Sequence, residues 1–323
     1  MIQSFTVTNH TGKSMTCELA NPWKEGLAVA SIDGLGPGQA TVNVADISSM
    51  DGGLFNSARK GTRNIVLNLI FVDHDTLTIE DIRRKCYTYF PLKKKVKLKI
   101  TTSDGKTFKD FYIDGYVESN EPIIFSSQEG ATISLLCPQP YFYKSLENEQ
   151  RFSISSNPEF SFAFSKIPSD NSELLMGDIV SYVVTDVYYE GDADAGIVVE
   201  IVFKSNVSHD PENPKTIRID NSLTNTANEF SLEKIKTIVS AQLDEYTGIV
   251  SGDKVVLSTV KGEKNLTYTH NNVEYNVIGA MATMSSSGEW LYLTAGSNYL
   301  AINKDASIEI IASVKNKTYY YGV

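Results

Sequence analysis

Polar and apolar residues alternate with a period of two along most of this chain, which is the mark of half-buried β-strands. The clearest run is Lys95-Val96-Lys97-Leu98-Lys99-Ile100, with three lysines on one face and three aliphatic residues on the other. A Ser103-Asp104-Gly105 turn and a second stretch from Phe108 to Val117 complete a predicted hairpin. Comparable runs are Ile133/Leu135/Cys137, Ile197/Val199/Ile201/Phe203, Val255–Val260, Trp290–Leu293 and Ile308/Ile310/Ala312/Val314. One segment keeps a different rhythm. In 76-TLTIEDIRRKCYTYFPL-92, Ile79, Ile82, Cys86, Tyr89 and Phe90 fall on one helical face. Thr78 can cap that helix with Asp81 three residues on, and Pro91 ends it. A second stretch, 231-SLEKIKTIVSAQLDE-245, fits either a short helix or a strand continuing from Phe230.

The strand ending at Cys137 stops at two prolines, Pro138 and Pro140, and three aromatic residues follow, Tyr141, Phe142 and Tyr143. Proline lacks the N–H a ladder needs and fixes φ, so the chain leaves the sheet stiffly here, and the rings can anchor the exit. Beyond Tyr143 the chain is serine-rich to about residue 175, and short strands with turns between them then resume. At 323 residues there is length for two cores. The expected fold class is mainly β: a β-sandwich-like first domain with one helix over residues 1–150, then connecting strands and an antiparallel β-sandwich over 151–323.

Composition narrows the function classes. The longest apolar run, Ile65–Val72, is strand-length and broken by Asn68, well short of the ~20 residues of a membrane helix. The start, MIQSFTVTNHTGKS, has no basic-then-apolar leader, so no signal peptide is expected. Cys17, Cys86 and Cys137 lack the close spacing of a zinc or redox motif and are expected to be reduced, with Cys86 and Cys137 buried. The net charge of −10 is uneven, 16 basic against 17 acidic residues in 1–150 and 13 against 22 in 151–323. That balance argues against a basic nucleic-acid-binding face.

Candidate chemistry is sparse. His10, His74, His209 and His270 are scattered, and Asp73-His74-Asp75 reads as a solvated turn before the helix cap. Asp33-Gly34-Leu35-Gly36-Pro37-Gly38 lacks the Gly-Lys-Ser/Thr ending of a phosphate loop, and a strand through Val42-Asn43-Val44 is expected after it. Glu190, Asp192 and Asp194 resemble half of a calcium loop without its downstream glutamate, and read as a hairpin tip. The basic run 59-RKGTR-63 and the lysines at 93–99 read as charged outer strand faces. Trp290 is expected in the core of the second sandwich, held by its own strand and the final aromatic residues; the alternative is a sugar-stacking platform. No catalytic, cofactor-binding or metal-ligating residue is assigned, and no enzymatic activity is expected.

The order of segments nevertheless resembles a known family. The stretches 31-SIDGLGPGQATVNV-44, 51-DGGLFNSARKGTRNIVLNLIF-71, the capped helix, 115-GYVESNE-121 and above all 137-CPQPYFY-143 resemble the first domain of the distal tail proteins (Dit) of long-tailed bacteriophages. In the second half, 252-GDKVVLSTVKGEK-264, 288-GEWLYLTAGSNYLAIN-303 and 319-YYYGV-323 resemble the family's galectin-like sandwich, whereas 204–250 does not align. The resemblance implies a virion structural protein of the tail tip or baseplate, assembled in the host cytoplasm. It implies a homo-hexameric ring joining the tail tube protein to the tail-associated hub protein and carrying a receptor-binding or side-fibre protein. DNA would only pass through the lumen, and no membrane or cofactor is implied. The alternative function is a lectin-like adhesin binding host cell-wall carbohydrate through the second sandwich.

Overall fold

The computed structural model describes all residues except 49–50, 74–76, 145–147, 155–181, 285–287 and 306. The chain divides into two compact units, Met1–Ser145 together with Tyr319–Val323, and Leu146–Thr318. Both are predominantly antiparallel β.

The first unit contains β1 (Ile2–Thr8), β2 (Ser14–Glu18), β3 (Leu27–Asp33), β4 (Ala40–Asp46), β5 (Gly53–Lys60) and β6 (Arg63–Phe71). Helix α1 (Ile79–Tyr89) follows, then β7 (Lys95–Ser103), β8 (Phe108–Ile123), β9 (Gly130–Cys137) and β10 (Phe142–Tyr143). The main sheet runs β2-β1-β7-β8-β9-β6-β3. Alternation dictates its inward face: Val96, Leu98 and Ile100 of β7 and Ile133, Leu135 and Cys137 of β9 are at most 1% exposed, while Lys95 and Lys97 face water. The predicted helix is present with its capping box, the Thr78 hydroxyl accepting from the Asp81 N–H and the Asp81 carboxylate accepting from the Thr78 N–H. Ile82, Cys86 and Phe90 close it onto the core. Cys17, Cys86 and Cys137 are all buried free thiols, and desolvation pushes each up to about 12, which favours the protonated thiol.

The second unit contains β11 (Asn148–Ile154), β12 (Tyr182–Tyr189), β13 (Ala195–Phe203), β14 (Thr216–Asn221), β15 (Thr226–Ser231), α2 (Leu232–Ser240), β16 (Lys254–Ser258) and β17 (Asn265–His270). After β18 (Val273–Asn276) come β19 (Met281–Met284), β20 (Tyr292–Leu293), β21 (Gly296–Lys304) and β22 (Ile310–Asn316). One sheet runs β11-β22-β13-β16-β17-β18, with β20 alongside β13, and the other runs β12-β21-β14-β15-β19. Their apolar faces form a β-sandwich core that includes Ile197, Val199, Ile201 and Phe203 of β13 and Ile217 and Ile219 of β14, all fully buried. The ambiguous stretch at 231–245 turns at its first residue. Ser231 ends β15, and its hydroxyl accepts the Lys234 N–H to cap α2. The unaligned segment 204–250 supplies β14, β15 and α2, so much of it belongs to the sandwich itself.

The last five residues depart from the sequence reading. The sequence groups the 319-YYYGV-323 ending with the second sandwich, but β23 (Tyr319–Tyr320) pairs with β10 in the first unit. The reason is apolar and local: Tyr320 sets its ring edge-on to Phe111 at 5.3 Å, and the Val323 N–H donates to the Leu35 carbonyl.

Candidate interaction surfaces

Three features of the first unit answer to no need of its own fold, or answer in an unexpected way. The first is the hairpin β4–β5, a separate two-stranded sheet that no third strand joins among the described residues. Its register sets Val42 opposite Ala58 and Val44 opposite Phe55, which share a face, while Asn43 and Ser57 meet on the other. Val42, Val44 and Phe55 are 55%, 54% and 61% exposed. Two strands without a covered face are marginal in water, so an apolar face of this kind is suited to burial against another molecule.

The second is Arg63, read from the sequence as part of an exposed basic strand face. It is 6% exposed. The correction follows from parity, since Arg63 begins the same inward series as Ile65, Leu67 and Leu69 of β6. Its Nε donates to the Pro140 carbonyl at 2.7 Å, one terminal nitrogen donates to the Gly34 and Gly36 carbonyls, and the other to the Tyr321 carbonyl. The guanidinium lies 4.7 Å from the centre of the Phe142 ring. Five donors in a rigid fork can satisfy carbonyls from three separate segments, which an ammonium could not do. Burial lowers its pKa. The glycine loop is thus an acceptor for a cation; at Gly34, φ is +85° and a Cβ would strike the Asn64 carbonyl at 2.1 Å.

The third is the aromatic exit after the prolines. Tyr141 lies against Tyr321 and Tyr319, Phe142 is fully buried, and Tyr143 stacks on Tyr112 at 5.9 Å. The Tyr143 hydroxyl donates to the Asp114 carboxylate at 3.3 Å, and burial raises its pKa strongly. The rings therefore anchor the exit, as the sequence suggested, and the C-terminal strand completes the packing.

In the second unit, Trp290 is the other correction. Leu291 and Leu293 are fully buried, so the alternation turns Trp290 and Tyr292 outward. The indole is half-buried and borders an open cavity of about 410 Å³ with Lys261, Lys264, Glu289 and Tyr292, and the Lys264 Nζ sits 5.2 Å from the ring centre. Deeper in the sandwich, Tyr246 donates to the Tyr268 hydroxyl at 2.9 Å, Tyr268 donates to the buried Asp253 carboxylate, and His270 Nδ1 meets the same carboxylate at 2.9 Å. His209 Nδ1 is 2.8 Å from the Glu233 carboxylate beside the start of α2. The two histidines occupy separate networks. Glu190, Asp192 and Asp194 are exposed around the turn between β12 and β13, and no group of three metal-ligating side chains is assembled among the described residues. His74 and Asp75 lie outside the described residues.

The sequence matches no protein-family model and no curated protein. Solved structures do match. The crystal structure of the Dit protein of phage SPP1, described as a paradigm of the hub adsorption apparatus in phages infecting Gram-positive bacteria, aligns over 98% of both chains with a TM-score of 0.58 and 13% identity. This chain has the Dit fold. Two structures of the phage p2 baseplate in its activated conformation, with Sr and with Ca, align over 97% and 98% of the chains at 13% identity, with TM-scores of 0.43 and 0.44. The Dit fold accounts for the order of the two units and for the mainly β architecture of both. No helix among the described residues is long and apolar enough to cross a membrane.

Proposed function

We propose that this protein is a structural hub of a phage tail tip, a homo-hexameric ring joining the tail tube protein to the tail-associated hub protein and carrying a receptor-binding or side-fibre protein. DNA passes through its lumen without being bound, and the protein performs no catalysis. The observation that carries this reading is the uncovered apolar face of the β4–β5 arm on a chain with the Dit fold. Head-to-tail contacts made by one arm per copy close into a ring when the rotation permits. Charge distribution supports placing the contacts in the first unit: it holds 16 basic against 15 acidic residues, net +1, while Leu146–Thr318 holds 13 against 24, net −11. Like-charged second units repel within a screening length of ~8 Å at physiological salt. Light scattering or native mass measurement tests the reading; six copies of 35.7 kDa give a particle of about 214 kDa, or its stacked double. A monomer at every concentration, with and without tail partners, contradicts it.

A second reading has one observation in its favour, the half-buried indole of Trp290 at an open cavity with charged neighbours. An aromatic face with adjacent polar groups is a stacking platform for a sugar ring. Under this reading the second sandwich is an adhesin for host cell-wall glycan. Trp290→Ala would then abolish binding to purified cell wall without altering the melting temperature, and unchanged binding would remove the reading.

A further inference from the structure

At the root of the arm, Lys60 ends β5 opposite Ala40. Its Nζ lies 5.3 Å from the centre of the Tyr141 ring and 4.7 Å from that of Tyr321, shielded from solvent and without a hydrogen-bond partner. An ammonium carries three donors, and a π-face satisfies its charge only in part. Desolvation, and the neighbouring Arg63, lower its pKa. Arg63 has given its donors to carbonyls, so it brings a second positive charge and no anion. Arg59, exposed one residue away, lines the same cavity of about 370 Å³, together with Gln39, Ala40, Ala58 and both tyrosines. Among the described residues no carboxylate forms an ion pair with Lys60, Arg59 or Arg63. Two cations, Lys60 and Arg59, thus line one cavity with Arg63 close behind Lys60 and no counter-charge among the described residues, and leaving a buried charge unpaired is costly.

We propose that this cavity is a receptor for a carboxylate side chain of a second copy of the protein, which reaches the Lys60 Nζ past Tyr141 and Tyr321 as the neighbouring subunit covers the arm. The inference rests on the self-association reading above. The cavity is continuous with the arm, since Ala40 and Ala58 belong to both, and a chain with 39 acidic against 29 basic residues has carboxylates to offer. The apolar face of the arm then supplies adhesion, while the charged socket at its root fixes register.

The test compares the full chain with Lys60→Met, which keeps the stem and removes the ammonium. The dissociated variant should melt at or above the temperature of the parent, because an unpaired buried charge is gone. Its self-association should weaken by at least about tenfold, with a flatter dependence on salt. Equal association of parent and variant overturns the proposal. Glutarate serves as a free dicarboxylate probe: it should raise the melting temperature of the parent and not of Lys60→Met. A glutarate shift that survives in the variant also overturns the site. If the parent never self-associates, the ring reading falls. A Lys60-dependent glutarate shift would then leave the carboxylate socket standing and overturn its assignment to a second copy.

Discussion

Two hairpins of the first unit show how differently the same chain uses the same motif. In β7–β8 the aliphatic side chains of β7 are buried and its lysines are in water; Lys95 and Lys99 sit 3.4 and 3.5 Å from Asp114 and Asp110 of the partner strand. The fold of the subunit accounts for the buried face of β7 and for the ion pairs on its other face. In β4–β5 the pattern is inverted: valine and phenylalanine are exposed, and the cations at its base, Lys60 and Arg63, are turned inward. A hairpin that leaves its apolar face open and encloses charge at its root is what the proposed contact with a second copy would cover.

The sharpest way to break this contrast is to remove charge from each basic run. Arg63→Met strands the carbonyls of Gly34, Gly36, Pro140 and Tyr321, and should lower the stability of the first unit by about 3–5 kcal/mol in chemical denaturation. Lys97→Met, on the solvent face of β7, should stay within about 0.5 kcal/mol of the parent. Equal losses would mean that the two runs are not different in kind. Ending the chain at Thr318 removes β23, the ring of Tyr320 against Phe111 and one acceptor of Arg63, and should cost the first unit about 2–3 kcal/mol while leaving the second unit's transition in place. Loss of the second transition instead would return the tail to the sandwich. In that sandwich, Ser231→Ala should cost about 1 kcal/mol by uncapping α2. Trp290→Ala should cost no more than about 1 kcal/mol, because the indole lies outside the core; a loss of the size usual for a buried tryptophan would place it inside.

Much of this was legible in the sequence where one physical rule acted alone. Period-two alternation gave the buried face of β7 and β9, and the Thr78/Asp81 spacing gave the capped helix. The misreadings came where a residue's type outweighed its parity. Charge predicts an exposed Arg63, yet it stands in step with Ile65 and Leu67; size predicts a buried Trp290, yet it stands out of step with Leu291 and Leu293. In both cases the period carried the answer. The return of Tyr319–Val323 to the first unit had no local signal, because its partners, Leu35, Phe111 and Phe142, are at least 177 positions away in the chain. The Lys60 socket likewise depends on rings from two distant segments, and so appears only when the chain is folded.

The central claim is that the β4–β5 arm exists to be covered by another copy, and the most direct measurement changes its apolar face alone. Val44→Ser combined with Phe55→Ser touches two exposed cross-strand neighbours, 54% and 61% accessible, that the subunit core does not use. Sedimentation of this variant beside the parent should show the parent as a species near 214 kDa and the variant as a 35.7 kDa monomer, with melting of the dissociated chains unchanged within about 0.5 kcal/mol. A variant that still sediments with the parent's ring would contradict the account, because the arm would then be dispensable for assembly.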